Sequence, residues 1–91
     1  MRVLVVSHDA TARMFVEGVL RDYGHSVMLS TNVAEAWEAC QREMPDLAVV
    51  DLLLPEGDGL LLCQRLRSRA DEHGTVILAA TRLAEPGSAS D

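Results

Sequence analysis

The chain has 91 residues and a net charge of −6. This length allows one domain with a thin hydrophobic core, and the acidic charge argues against a nucleic-acid surface, which would need a basic patch. Hydrophobic residues make up 48% of the chain, which is too large a share for a disordered protein.

Signals for secretion, membrane insertion and zinc binding are missing from the sequence. The apolar start is too short for a signal peptide, and no apolar run has the length of a membrane helix. Cys40 and Cys63 lie in helical patterns without zinc-ligand spacing. We therefore expect a cytoplasmic protein with two reduced, packed thiols and with neither a nucleic-acid nor a membrane partner.

The chain begins with a strand pattern followed by a helix pattern. The continuous apolar run Val3–Val6 predicts a strand that is buried on both faces. The next segment, which Asp9 or Thr11 can cap and Gly24 can end, has helical spacing. Its predicted inward face comprises Ala12, Phe15, Val16, Val19, Leu20 and Tyr23.

The rest of the chain repeats this alternation. Asn32 and Glu35 form a capping-box variant, and Asp58 is positioned to cap a third helix. The predicted elements are, in chain order, a strand over Ser26–Ser30, a helix to about Glu43, a strand over Leu47–Val50, a helix over about 59–69, a polar turn over 71–74 and a strand over Val76–Ala80.

This order predicts an α/β fold with a parallel sheet and right-handed crossovers. Ligands of such sheets bind outside the carboxyl ends of the strands. Asp51 ends the third strand, and Ser7, His8 and Asp9 follow the first, so neighbouring strands would bring these side chains into one crevice. A carboxylate there can act as a nucleophile or a cation ligand. The alternative is an aspartate that only ends a strand.

Four segments carry a family resemblance: RVLVV at 2–6, Arg13, YGHSV at 23–27 and PDLAVVDLLLPEGDG at 45–59. Together they resemble the receiver domain of bacterial two-component response regulators, whose D-L-x-L-P-x-x-D-G pattern the last segment fits. The resemblance implies a flavodoxin-like (CheY-like) sheet and a non-enzymatic signalling module. It also implies Asp51 as the phosphoacceptor, with a sensor histidine kinase or phosphotransfer protein as partner.

The resemblance also implies a magnesium site, from which this chain departs. Family members carry two carboxylates after the first strand, but Ser7 and His8 occupy those positions. Asp51, the Leu53 carbonyl and Asp9 as a substitute are the candidate magnesium ligands that are left. His8 can instead pair with Asp51 or face the solvent.

The phosphate pocket departs from the family in two further ways. The family's switch hydroxyl aligns with Ala80, and Thr81 lies one residue later, on the opposite face unless the strand is bulged. The chain contains no lysine, so Arg82 is the cation left to meet a phosphate, unless it is a solvated surface arginine. The candidate phosphate pocket around Asp51 therefore comprises Ser7, His8, Asp9, Ala80, Thr81 and Arg82.

The resemblance covers residues 2–82, so we expect an incomplete receiver-like domain over 1–82 and a disordered tail over 83–91. The family's strand order 2-1-3-4-5 becomes 2-1-3-4, without the fifth strand and the last two helices. Val76–Ala80 is then an apolar edge, and exposed apolar edges pair with other chains. We expect self-association through this strand.

Three functions stay open at this point. The missing carboxylate pair, switch hydroxyl and lysine favour a pseudo-receiver, an interaction module without working phosphoryl transfer. The segment around Asp51 favours a receiver that a histidine kinase phosphorylates. A cofactor-binding flavodoxin-like domain is the third candidate, although the sequence has neither a dinucleotide fingerprint nor a P-loop.

Overall fold

The computed structural model describes residues 1–52, 54 and 59–80. Its elements are β1 (Arg2–Val6), α1 (Ala10–Asp22), β2 (Ser26–Ser30), α2 (Val33–Arg42), β3 (Leu47–Asp51), α3 (Gly59–His73) and β4 (Val76–Ala80). The predicted roles of Leu53, Asp58, Thr81 and Arg82, and the predicted tail over 83–91, lie outside the described residues.

The four strands form one parallel sheet in the order β2-β1-β3-β4. This order confirms the predicted flavodoxin-like fold. In register, Val5 lies opposite both Leu29 and Val49, and Val49 lies opposite Leu78. Because β1 and β3 are parallel neighbours, their carboxyl ends meet at one edge of the sheet, as the predicted crevice requires.

Alternate strand residues point to two differently covered faces. On the face covered by α2 and α3 lies the larger core cluster, made of Leu4, Val6, Ala36, Cys40, Ala48, Val50, Leu54, Leu62 and Leu66. On the face covered by α1 lies a smaller cluster of Val3, Val5 and Val49, against which Val16 and Leu20 of α1 pack. We call these the α3 face and the α1 face.

Helix α1 begins and ends as predicted but buries less than predicted. Asp9 is its N-cap and accepts a 2.9 Å hydrogen bond from the Ala12 amide, and Gly24 follows its end with a φ of +86°. The predicted inward face is wrong for Phe15 and Tyr23, which are 71% and 79% exposed, and for the exposed Val19. Among the described residues, α1 contacts mainly β1 and β2, and part of its apolar surface stays exposed.

Helix α3 is longer than predicted. It continues to His73 rather than to about residue 69, and the predicted turn begins only at Gly74, whose φ is +72°. The extra turn buries Ala70 on the same side as Leu62 and Leu66, so packing extends the helix beyond the point where its polarity rises. Within the described residues, no helix has the length and apolarity needed to cross a membrane.

Helix α2 has the predicted cap, with one difference in its partner. The Glu35 amide donates to Asn32 Oδ1 at 2.9 Å, whereas the Glu35 carboxylate accepts from the amide and hydroxyl of Thr31. These hydrogen bonds from Thr31 stabilise the charged carboxylate and lower the pKa of Glu35. The exposed cap therefore orders the loop that joins β2 to α2.

Candidate functional site

Asp51 occupies the position at which a parallel sheet exposes its strand ends. It is the last residue of β3, between β1 and β4 in the sheet, and it is only 7% exposed. The Ser7 hydroxyl donates a 3.3 Å hydrogen bond to Asp51 Oδ2. Ala80 is the β4 residue in register with Asp51, and its carbonyl accepts from the Leu52 amide at 2.7 Å. The structure thus brings Asp51, Ser7 and Ala80 together.

Ser7 is fully buried and held by its neighbours on several sides. Its amide donates to the Ser30 carbonyl at 3.1 Å, and its carbonyl accepts from the Arg13 guanidinium at 2.7 Å. Its hydroxyl accepts from the Asp9 amide at 3.2 Å while it donates to Asp51. A small, neutral hydroxyl therefore fills a position beside Asp51 that the family resemblance assigns to a carboxylate.

Asp9 and His8 are less closely tied to Asp51. Both residues are exposed, and Asp9 Oδ1 accepts the α1 capping bond from the Ala12 amide. No hydrogen bond joins the His8 ring to any residue that the structure describes, including Asp51. The exposure of His8 agrees with the solvent-facing alternative that the sequence left open for it.

Gly59 allows the third helix to begin against the strand end. A Cβ atom built on it would lie 2.6 Å from the Asp51 carbonyl oxygen and 2.7 Å from Leu52 Cα. Real Cβ atoms do not come that close to backbone atoms, so any other residue would push α3 away from β3. The sequence signal for this contact is the Asp-Gly pair, which by itself predicts only the start of a helix.

Arg13 is a second residue whose role the sequence did not reveal. It lies off the predicted apolar face of α1, yet its guanidinium reaches back to the Ser7 carbonyl. That bond ties the loop after β1 to the first turns of α1. The resemblance singled out Arg13, but a pattern of apolar spacing treats an arginine there as solvent-facing.

The described residues fit a magnesium ion poorly. Mg²⁺ requires hard oxygen ligands in near-octahedral geometry, usually with at least one or two carboxylates. Asp51 supplies one carboxylate, Ser7 adds a neutral hydroxyl, and one Asp9 oxygen is committed to the helix cap. No three His, Cys, Asp or Glu side chains converge into a metal site within residues 1–52, 54 and 59–80.

Comparison with known proteins identifies the family. The model of the response regulator receiver domain matches residues 3–89. The chain belongs to this family. Response regulator MprA of Mycobacterium leprae is 38% identical over 80 residues, which cover 88% of this chain and 35% of that protein. The virulence transcriptional regulatory protein PhoP of Salmonella typhimurium is 40% identical over 80 residues, covering 88% of this chain and 36% of PhoP.

Solved receiver structures agree with this assignment. A putative response regulator from Chloroflexus aurantiacus superposes with a TM-score of 0.77 at 33% identity, covering 86% of this chain and 64% of that chain. A response regulator from Thermotoga maritima gives 0.76 at 26% identity, covering 92% and 68%. The receiver chain spans only about a third of the length of the curated relatives it matches.

Membership in the receiver family settles the broad class of function. Receiver domains are signalling modules of two-component systems, and their partners are histidine kinases or phosphotransfer proteins. This class replaces the cofactor-binding flavodoxin-like alternative. The chemistry at Asp51 is a separate question, because it depends on the departures at Ser7 and His8.

Proposed function

We propose that this receiver is a pseudo-receiver, an interaction module that keeps the fold and the aspartate but not magnesium-dependent phosphoryl transfer. The observation that carries the proposal is the hydroxyl of Ser7, which donates to Asp51 Oδ2 at 3.3 Å from a fully buried position. Where a second negative charge would attract a cation, this chain places a neutral donor against Asp51.

Electrostatics explains why a hydroxyl in place of a carboxylate beside Asp51 matters for phosphoryl transfer. Phosphoryl transfer depends on positioning and on cations that neutralise the charge developing on the phosphoryl oxygens. One buried carboxylate and one hydroxyl attract Mg²⁺ less than the acidic cluster that the family resemblance implies. Asp51 then stabilises the conformation of the strand end and takes no part in phosphoryl transfer.

The partner we propose is a histidine kinase or a phosphotransfer protein that binds the module without phosphorylating it. Both thiols of the chain are free, as befits a reducing compartment, and we propose a cytoplasmic location. Residues 1–82 would form the partner-binding domain. The phosphate pocket that the family resemblance implies, with Asp51 at the phosphoacceptor position, would then have a structural role only; its candidate residues are Ser7, His8, Asp9, Ala80, Thr81 and Arg82.

A working phosphoacceptor is the second candidate, and one observation favours it. Asp51 is the last residue of β3 and lies at the carboxyl edge of the parallel sheet, where such sheets bind their ligands. On this alternative, Asp9 and the Leu53 carbonyl would join Asp51 as magnesium ligands. Asp51 would then accept the phosphoryl group from a partner histidine kinase.

The two candidates differ in a direct measurement. The chain is incubated with a small-molecule phosphodonor with and without Mg²⁺, and its intact mass is recorded, with Asp51→Asn as the control. We expect no phosphoryl adduct on the wild type. A magnesium-dependent adduct on the wild type that is absent from Asp51→Asn would overturn the pseudo-receiver proposal.

A gain-of-function variant tests the cause that we assign. Ser7→Asp combined with His8→Asp supplies the two carboxylates that the family carries after its first strand, and we expect the variant to bind Mg²⁺ more tightly than the wild type. Calorimetric titration with MgCl₂ measures this, and circular dichroism checks the fold of the variant. Equal magnesium affinity in the wild type and the variant would contradict our inference that Ser7 and His8 weaken magnesium binding.

A further inference from the structure

Helix α3 carries three arginines, Arg65, Arg67 and Arg69, that have no acidic partner among the described residues. The ion pairs that the structure does contain involve arginines of β1, α1 and α2. The chain has 14 acidic residues and a net charge of −6, so carboxylates are plentiful elsewhere. The positive charge on α3 is therefore left uncompensated by the described part of the chain.

Two of these arginines face α2. The Arg65 guanidinium lies over the Trp37 ring, with its central carbon 5.7 Å from the ring centroid. Arg69 Nη2 donates to the Cys40 carbonyl at 3.3 Å. The arginines are four residues apart on α3 and their partners three apart on α2, so both contacts lie along one groove between the helices. We call it the α2–α3 groove; its four residues all belong to the described part of the chain.

The contacts with α2 hold the two guanidinium groups in place but leave hydrogen-bond donors free. The N–H donors of a guanidinium lie in its plane, so stacking on a ring face occupies none of them. Arg65 is exposed and makes no hydrogen bond to a described residue. Arg69 is half-buried, and its Nε has no hydrogen-bond partner among the described residues. A carboxylate beside these groups would supply the acceptors and the negative charge that they lack.

We propose that the α2–α3 groove binds an acidic helix of a partner protein, with one carboxylate on Arg65 and one on Arg69. Residues four apart on a helix are about 6 Å apart along its axis, so carboxylates at positions i and i+4 of a partner helix match the two arginines. Each guanidinium can bind a carboxylate through two N–H donors. Trp37 adds a partly exposed aromatic surface, and tryptophan and arginine are enriched at the energetic centres of protein interfaces.

The charge of the chain favours a protein segment over a nucleic acid or an anionic membrane. A chain with a net charge of −6 repels polyanions, whereas a short acidic helix brings only two carboxylates to two guanidinium groups. The groove is also separate from Asp51, because Arg65 lies six residues beyond Gly59, the point at which α3 touches the strand end. The inference therefore does not depend on whether Asp51 is phosphorylated.

The first test uses the fluorescence of Trp37, which is the one tryptophan of the chain. The probe is an alanine-based helical peptide of about 20 residues, without tryptophan and with glutamates at positions i and i+4. A matched peptide has glutamines there, and a DNA duplex is titrated in parallel. We expect the glutamate peptide alone to change the Trp37 emission of the 91-residue chain. No change up to about 1 mM glutamate peptide, an equal change with the glutamine peptide, or a response to DNA alone would overturn the inference.

The second test compares the two flanks of α3. Arg65→Glu should raise the dissociation constant of the glutamate peptide at least about tenfold, because it places like charges together. Arg67→Glu makes the same charge change on the other flank, beside Ile77 and Ala79 of β4, and should bind like the wild type. Equal weakening in the two variants would show attraction to α3 in general and would contradict the proposed groove. Circular dichroism confirms that each variant is folded.

A charge swap completes the test. Arg65→Glu combined with Arg69→Glu should bind a peptide with lysines at positions i and i+4, which the wild type should not bind. A folded double variant that still prefers the glutamate peptide would contradict the pairing of one carboxylate with each arginine.

Discussion

The two faces of the sheet differ in how completely they are covered, although the same strands supply both. On the α3 face, Leu4, Val6 and Val50 join residues of two helices in one large buried cluster. On the α1 face, Val3, Val5 and Val49 meet a single helix. Phe15 and Val19 of that helix, and Val76 and Leu78 of β4, stay exposed.

This difference shows that an apolar side chain is buried by its partners rather than by its own hydrophobicity. Leu62 and Phe15 are both large apolar residues on amphipathic helices, yet Leu62 is fully buried and Phe15 is 71% exposed. The α3 face should therefore hold most of the folding free energy. Among the described residues, the α1 face has more exposed apolar surface than the α3 face.

The largest expected effect comes from truncating a side chain on the covered face. Leu62→Ala removes a fully buried side chain and leaves a cavity, so we expect the free energy of unfolding to fall by about 2–5 kcal/mol. Phe15→Ala is the matched change on the other face and should alter it by less than about 0.5 kcal/mol. Urea titration of both variants measures the free energy of unfolding. Similar losses in the two variants would contradict the claim that the α3 face contributes more to stability than the α1 face.

A pair of glycine substitutions should give effects of opposite sign. Gly59→Ala forces a Cβ atom against the Asp51 carbonyl, and we expect a loss of about 1–3 kcal/mol in the free energy of unfolding. Gly18→Ala, in the middle of α1, meets no atom within 4 Å and should stabilise the helix by about 0.5–1 kcal/mol. Thermal denaturation compares the two, and a stabilising Gly59→Ala would contradict the close approach of α3 to β3.

The smallest effect concerns pH and the buried thiol on the covered face. Burial raises the pKa of Cys40, so the folded chain holds a proton that the unfolded chain loses above about pH 8.5. The stability is thus fully present below the unfolded pKa and falls as pH rises toward the folded value. In Cys40→Ala, the free energy of unfolding should therefore fall less between pH 7 and 10, as measured by urea titration. The effect should be larger than in Cys63→Ala, because the Cys63 thiol is only half-buried. An unchanged pH slope in Cys40→Ala would show that the thiol is not protected from water.

Local patterns were enough to predict the elements and the sheet. The strands over Ser26–Ser30 and Val76–Ala80 have the predicted bounds, and the strand ending at Asp51 lies where its apolar run placed it. Such patterns work because strand and helix periodicities are properties of adjacent residues. The predicted end of α3 was too early, because the burial of Ala70 outweighs the polarity of the residues that follow it.

The sequence by itself determined the alternation of strands and helices, the parallel sheet and the place of Asp51 at a strand end. Only the tertiary structure decided that Ser7 donates to Asp51, that Gly59 touches the end of β3 and that Phe15 is exposed. Each of these depends on segments that are distant along the chain, and contacts of that kind are set by packing and register rather than by local periodicity.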